Sequence, residues 1–149
     1  MDIYVIGSKA KNKQEIVNQL FLLLLNKGYV KKTYEEAIHK REEEFPTGLE
    51  LEGNFNVAIP HAETDHVNKE AIALGILDEP IFWESMEDPE NTLSVHLIFL
   101  LAIKDPQMVV PNLKALTDNV FSKPEIVAKI KNSTNSKDTI RLLKELLNY

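Results

Sequence analysis

Four histidines, His39, His61, His66 and His96, are the side chains of this sequence best suited to nucleophilic or acid–base chemistry near neutral pH. An imidazole, with a reference pKa of about 6.5, offers a neutral lone-pair nitrogen there. His61 stands apart by position. It follows Pro60 directly after the short apolar run Val57 to Ile59, and a strand end is a rigid base for a reactive group. Proline fixes its own φ and removes a backbone donor, which helps hold the next side chain in one place. An ordinary Pro–His turn is the plainer alternative. His96 lies within Ser94–Val95–His96–Leu97–Ile98 and reads as a buried, hydrogen-bonded histidine of a central strand. His39 is expected to be exposed, and His66, in Glu63–Thr64–Asp65–His66, to face solvent from a loop.

One arginine is out of place in the same half of the chain. Thr33 and Glu36 have the spacing of a helix N-cap and capping box. The inward stripe of the helix that follows is Tyr34, Ala37, Ile38, Arg41 and Phe45. An arginine aimed at the interior needs an anion or a carbonyl cluster to offset its desolvation. A histidine can accept a phosphoryl group covalently and reversibly, and a guanidinium stabilises the added charge through charge-assisted hydrogen bonds. Because phosphoryl transfer depends mostly on positioning and charge stabilisation, His61 with Arg41 is a sufficient minimal kit if the two meet in space.

Other chemistries fit less well. His61 and His66, with Glu63 and Asp65 between them, match no common zinc spacing, so a metal or ligand module on these four residues is the weaker reading. There is no Gly–x–Ser–x–Gly elbow, Walker loop or dinucleotide fingerprint. With no cysteine, thiol catalysis, thiolate metal sites and disulfides are excluded, which fits a reducing cytoplasm. The net charge of −6 argues against nucleic acid as a main partner, because phosphate binding needs a basic face.

The elements that must position these residues read as a strand over Ile3 to Ile6, a Gly7–Ser8 turn, and a helix over Asn12 to Asn26 ended by Gly28. Pro46 closes the second helix, and a loop with Gly48 and Gly53 leads to the strand before His61. Two more strands, Ala71 to Leu77 and Val95 to Ile103, are joined by a long acidic connection. The second is almost continuously apolar, as expected for a strand covered on both faces. Helices over 109–121, 124–131 and 136–147 complete one domain spanning residues 1–149. The expected fold class is α+β: an α/β/α sandwich in which a single mixed sheet carries helices on both faces. The longest apolar run, Ile16 to Leu25, is interrupted by Asn18 and Gln19 and falls short of the about 20 residues a membrane span needs. No signal peptide is expected.

Several of these segments, taken together, resemble a known family. Gly53–Asn–Phe–Asn–Val–Ala–Ile–Pro–His61 is similar to the active-site segment of type-2 enzyme IIA (EIIA) domains of the sugar phosphotransferase system, in the mannitol, fructose and galactitol branches. Arg41–Glu42–Glu43 followed by Pro46–Thr47–Gly48–Leu49 resembles the family's Arg–Glu helix end and Pro–Thr–Gly–Leu turn. Glu63 to Val67, Pro80–Ile81–Phe82 and the strand leading to Leu101–Ala–Ile–Lys–Asp–Pro106 are most like the galactitol-type branch. So is the Arg41–His61 connection, which is longer than in the mannitol branch.

The resemblance implies that His61 accepts phosphate from phosphorylated HPr and passes it to a IIB component (EIIB), usually to a cysteine there. Arg41 matches the arginine that supports the phosphohistidine. A separate membrane component, EIIC, handles the sugar, and the EIIA domain works in the cytoplasm without a cofactor. Some members carry a second histidine, or a glutamine, shortly after the central strand, where this sequence has Gln107–Met108–Val109. A register with Met108 or Val109 at that position removes the second polar partner, and one with Gln107 there keeps it. Gln107 and His66 are thus the candidates for a supporting role. Glu63, Asp65 and the acidic stretch Glu84 to Glu90 are candidates for steering a basic partner, against the alternative of a merely solvated acidic face. A regulatory EIIA-like domain that signals by its phosphorylation state is the main competing function, since its residue chemistry would be the same.

Overall fold

A computed structural model describes residues 1–149. Five strands and five helices run in the order β1 (Asp2–Ser8), α1 (Lys13–Asn26), α2 (Tyr34–Glu44), β2 (Gly48–Leu49), β3 (Asn56–Ala58), β4 (Ala71–Glu84), β5 (Thr92–Ala102), α3 (Val109–Leu116), α4 (Pro124–Lys131) and α5 (Ser136–Leu147). The strands form one sheet in the order β1-β4-β5-β3-β2. β1 pairs with β4 and β3 with β5 in parallel, whereas β4–β5 and β2–β3 are antiparallel. The sheet is therefore mixed, as the sequence predicts.

Helices cover both faces. α1 and α2 pack on one face, where Ile16, Leu20, Leu24, Tyr34 and Ile38 meet Ala73, Ile98, Leu100 and Ala102. The C-terminal helices pack on the other, where Leu116, Val127, Ile130 and Leu143 meet Leu74, Leu97, Phe99 and Leu101. Successive residues of β5 from Leu97 on thus serve opposite cores, which is why Leu97 to Ala102 are apolar without interruption. α1 lies so close to the sheet that a Cβ at Gly75 would stand 2.8 Å from Ile16 Cδ1. Asn12 caps α1 by accepting from the Glu15 N–H at 2.9 Å, and Gly28, at φ 83°, lets the chain leave the helix.

Several sequence expectations are corrected. Gly7 and Ser8 are not a turn but continue β1, paired with Ile76 and Leu77. β4 runs on past Leu77 to Glu84, because Ile81 and Trp83 bury themselves in the α1–α2 core and so extend the pairing with β5. The expected long acidic connection shrinks accordingly. Gly48 forms part of β2, and the far end of β4 curls back to it, with Gly48 bridging Ser85. The helix expected over 109–121 is α3 followed by a π-type turn over Thr117–Phe121. No helix is long and apolar enough to cross a membrane.

Candidate active site

The peptide Ile59–Pro60–His61 prolongs β3 along β5. The Pro60 carbonyl accepts the Leu101 N–H at 3.1 Å, and His61 bridges Leu101. The Leu101 carbonyl in turn accepts from the Tyr34 hydroxyl. Two strands and one helix thus converge on the histidine's backbone, while its side chain stays half-buried.

The ring is oriented by its own chain. His61 Nδ1 lies 2.8 Å from the Ile59 carbonyl oxygen. A carbonyl only accepts, so Nδ1 carries the hydrogen and the neutral ring's lone pair sits on Nε2. Burial pushes the His61 pKa below its ordinary value, and the positive charge of Arg41 pushes the same way. The Ile59 hydrogen bond and the Glu63 carboxylate oppose them without prevailing. The net effect favours the neutral, nucleophilic ring.

Arg41, on the last turn of α2, does not have the orientation expected for its stripe. The buried residues of α2 are Tyr34, Ile38 and Glu42, while Phe45 is 62% exposed. The charged residue on the inward face is therefore Glu42. Arg41 lies beside that face: Nη1 reaches Glu63 Oε1 at 3.4 Å, and the guanidinium sits 5.7 Å from the centre of the Phe45 ring. Its Nε is buried and has no hydrogen-bond partner, an arrangement that leaves donor capacity for an incoming anion.

Glu42 is only 4% exposed and accepts from the Trp83 indole at 2.9 Å, from the Thr47 N–H at 3.2 Å and from the Thr47 hydroxyl. Sequence reasoning missed it as a buried group. The spacing Tyr34–Ile38–Glu42 fits a helical face as well as the one chosen, but the donors that make the burial tolerable lie at Thr47 and Trp83.

The other candidates divide. His66 lines a cleft of about 450 Å³ with Thr33, Lys40, Arg41, Phe45 and Glu63, but its Nδ1 is engaged at 2.7 Å by the Thr33 hydroxyl. This also corrects the capping box, because Thr33 caps no N–H of α2. Gln107 is exposed on a turn just after β5. Its N–H is held at 2.9 Å by Asp105, and its side chain makes no hydrogen bond to His61. His96 is half-buried rather than buried, accepts the Asn56 N–H at 3.3 Å and stacks edge-on against Phe55. His39 is also half-buried, 3.7 Å from Glu35, instead of fully exposed. Glu63, Asp65, His61 and His66 do not converge into a group that could hold a metal ion. Within the acidic stretch, Glu84 is bonded to Lys13.

Comparison with known proteins adds independent evidence. The family model described as "Phosphoenolpyruvate-dependent sugar phosphotransferase system, EIIA 2" matches residues 2–146. The galactitol-specific EIIA component of Escherichia coli K12 is 32% identical over 121 residues, covering 81% of this chain and 79% of that relative. The transcriptional regulator ManR of Bacillus subtilis is 30% identical over 131 residues, 87% of this chain but 18% of the regulator. Among solved structures, the complex of enzyme IIAMtl and phosphorylated enzyme IIBMtl from Escherichia coli aligns over 99% of this chain and 94% of that one. Its TM-score is 0.73 at 22% identity, which speaks to the fold.

Proposed function

The chain belongs to the EIIA 2 family of the phosphoenolpyruvate-dependent sugar phosphotransferase system, and from that premise we propose that it is a phosphoryl carrier whose acceptor is Nε2 of His61. The observation that carries this reading is the Nδ1–H bond to the Ile59 carbonyl, which leaves Nε2 as the ring's only lone-pair nitrogen.

The Nε2 lone pair attacks the phosphorus of a phosphohistidine on HPr. The new N–P bond forms as the donor's N–P bond breaks, and the bonding pair leaves with the donor imidazole. The Nδ1 proton stays in place, so the ring becomes a phosphorylated imidazolium whose positive charge lies against the Ile59 carbonyl dipole. Arg41 turns Nη1 from Glu63, and with it the unpartnered Nε, toward the phosphoryl oxygens. Attack by a nucleophile of EIIB, usually a cysteine thiolate in this family, reverses the sequence and returns neutral His61. EIIC then handles the sugar at the membrane, and the carrier acts in the cytoplasm as one EIIA domain.

Similarity to the galactitol-specific component favours a transport role of that type, and similarity to ManR supports regulation by phosphorylation state as the second reading. Incubation with phosphoenolpyruvate, enzyme I and HPr, followed by intact mass, tests the common core. Wild type is expected to gain one acid-labile phosphoryl group and His61→Ala none. Equal labelling of both proteins would overturn the assignment. Onward transfer to an EIIB protein separates transport from regulation.

A further inference from the structure

We propose that Glu42 and Thr47 are positioning residues that hold the Ile59 peptide, and through it the His61 ring, in the orientation that exposes Nε2. This rests on the carrier reading for its activity arm, but its structural arm stands without it.

The connection runs through buried groups. Glu42 receives three donors, from Trp83 and from both the N–H and the hydroxyl of Thr47. Thr47 is itself 4% exposed. Because its hydroxyl hydrogen goes to the carboxylate, the oxygen's lone pairs are free to accept, and Oγ1 takes the Ile59 N–H at 3.1 Å. The Thr47 carbonyl accepts the same N–H at 3.3 Å. Ile59 is thus clamped on its amide side by Thr47, while its carbonyl takes the His61 Nδ1–H at 2.8 Å. The next carbonyl, of Pro60, is pinned by Leu101. The segment that aims the ring is tied to β5 on one edge and, through Thr47, to α2 on the other.

A carboxylate is a poor choice for this place if its only task is to fill space. Burying it raises its pKa, desolvation being the largest cause, and an apolar side chain of similar volume is often as stable in such a position. What an apolar residue would lack is directional acceptance of three donors, which fixes the hydroxyl rotor of Thr47 and hence the acceptor offered to Ile59. The clamp therefore selects geometry, and a small error in the orientation of a nucleophile is costly in rate.

Thr47→Val removes the hydroxyl with little change in shape, Thr47→Ser keeps it, and Glu42→Gln weakens the carboxylate's acceptance. The first readout is the tautomer of His61 from imidazole ¹⁵N shifts, which needs no partner protein. Thr47→Val is expected to shift the ring from Nδ1–H toward the Nε2–H form that free imidazoles favour in water. Thr47→Ser is expected to keep the wild-type signature. The second readout is the initial rate of phosphoryl uptake from HPr well below the melting temperature. It is expected to fall about fivefold or more in Thr47→Val and Glu42→Gln and to recover to within about twofold in Thr47→Ser.

If Thr47→Val loses stability but keeps both the wild-type tautomer and the wild-type rate, Glu42 and Thr47 merely brace the fold and the proposal is overturned. A folded Glu42→Gln protein with the wild-type tautomer and rate removes Glu42 from the clamp. If Glu42→Gln does not fold, the Thr47→Val and Thr47→Ser pair decides alone. Failure of the carrier reading looks different, because wild type would then show the Nδ1–H tautomer and take up no phosphate.

Discussion

Replacing Arg41 with methionine is expected to separate function from stability, because the contributions of its guanidinium to folding nearly cancel while its proposed contacts with phosphate do not. The methionine keeps an apolar stem along the surface and removes the charge. On the stability side three contributions change. The ion pair with Glu63 is 3.4 Å long, and its side chains are 36% and 57% exposed. After screening by solvent, such a pair is worth about 0.2–1 kcal/mol. The contact with the Phe45 ring adds about 0.5–1 kcal/mol at an exposed site. Against these stands the buried Nε without a partner, whose desolvation costs about 1–3 kcal/mol. The sum lies near zero, so the melting temperature of Arg41→Met should stay within about 3 °C of wild type.

On the functional side, the proposed carrier role gives Arg41 one or two charge-assisted hydrogen bonds to the phosphoryl group, each worth about 1.5–3 kcal/mol, and methionine removes them. Phosphoryl uptake by His61 should therefore slow by about tenfold to a hundredfold or more. Arg41→Lys should recover only part of this, since it restores the charge without the planar fork. The assay pairs thermal melts with initial rates of phosphorylation by HPr. A fall of more than about 6 °C with the rate intact would show that Arg41 is a structural residue and that its unpartnered Nε has no bearing on phosphate.

Three other expectations can be measured on the same footing. Glu63→Gln frees the Arg41 donors and removes a negative charge near His61. The equilibrium constant for phosphoryl transfer from HPr should therefore rise by about twofold to fivefold, the equivalent of a screened ion pair, and an unchanged or lower constant would contradict the swap. His61 has its pKa lowered in the folded protein from 6.5, so between the lowered value and 6.5 the unfolded chain binds more protons. Stability is then full above about 6.5 and declines as pH falls through that window. His61→Gln should flatten that part of the melting-temperature profile, and His96, shifted in the same direction, should account for part of the slope that remains. Gly48→Ala should destabilise by about 1–3 kcal/mol or abolish folding, because its Cβ would stand 2.6 Å from the Glu84 carbonyl oxygen. A wild-type melting temperature would mean that β2 and the end of β4 can move apart.

Much of this arrangement is legible in the linear sequence. The almost continuous apolar run of β5 reports a strand covered on both faces, and the pattern of α1 reports a helix lying on the sheet. Pro60–His61 after a short apolar run points to the candidate site, and the strand end expected there is where the structure has it, with His61 bridging Leu101. What escapes reading depends on partners distant in the chain. Periodicity cannot choose between Arg41 and Glu42 for the inward face of α2, because both fit a helical stripe. The choice is made by Thr47 and the Trp83 indole, which satisfy a carboxylate. Thr33 has every local attribute of an N-cap, yet its hydroxyl bonds His66, 33 residues away. β4 outruns its expected end because Ile81 and Trp83 resume the burial pattern beyond the exposed Asp78–Glu79–Pro80. The second polar group suggested by Gln107 has no counterpart bonded to His61, and the Ile59 carbonyl, which no side-chain pattern reveals, holds the ring instead.

The most direct test of the account is the position of the phosphoryl group on the protein phosphorylated by HPr, determined by ³¹P and ¹⁵N NMR of the intact chain. A single phosphoryl group on Nε2 of His61, with Nδ1 still protonated, is the predicted result. Phosphate on Nδ1 of His61, or on His39, His66 or His96, would contradict it.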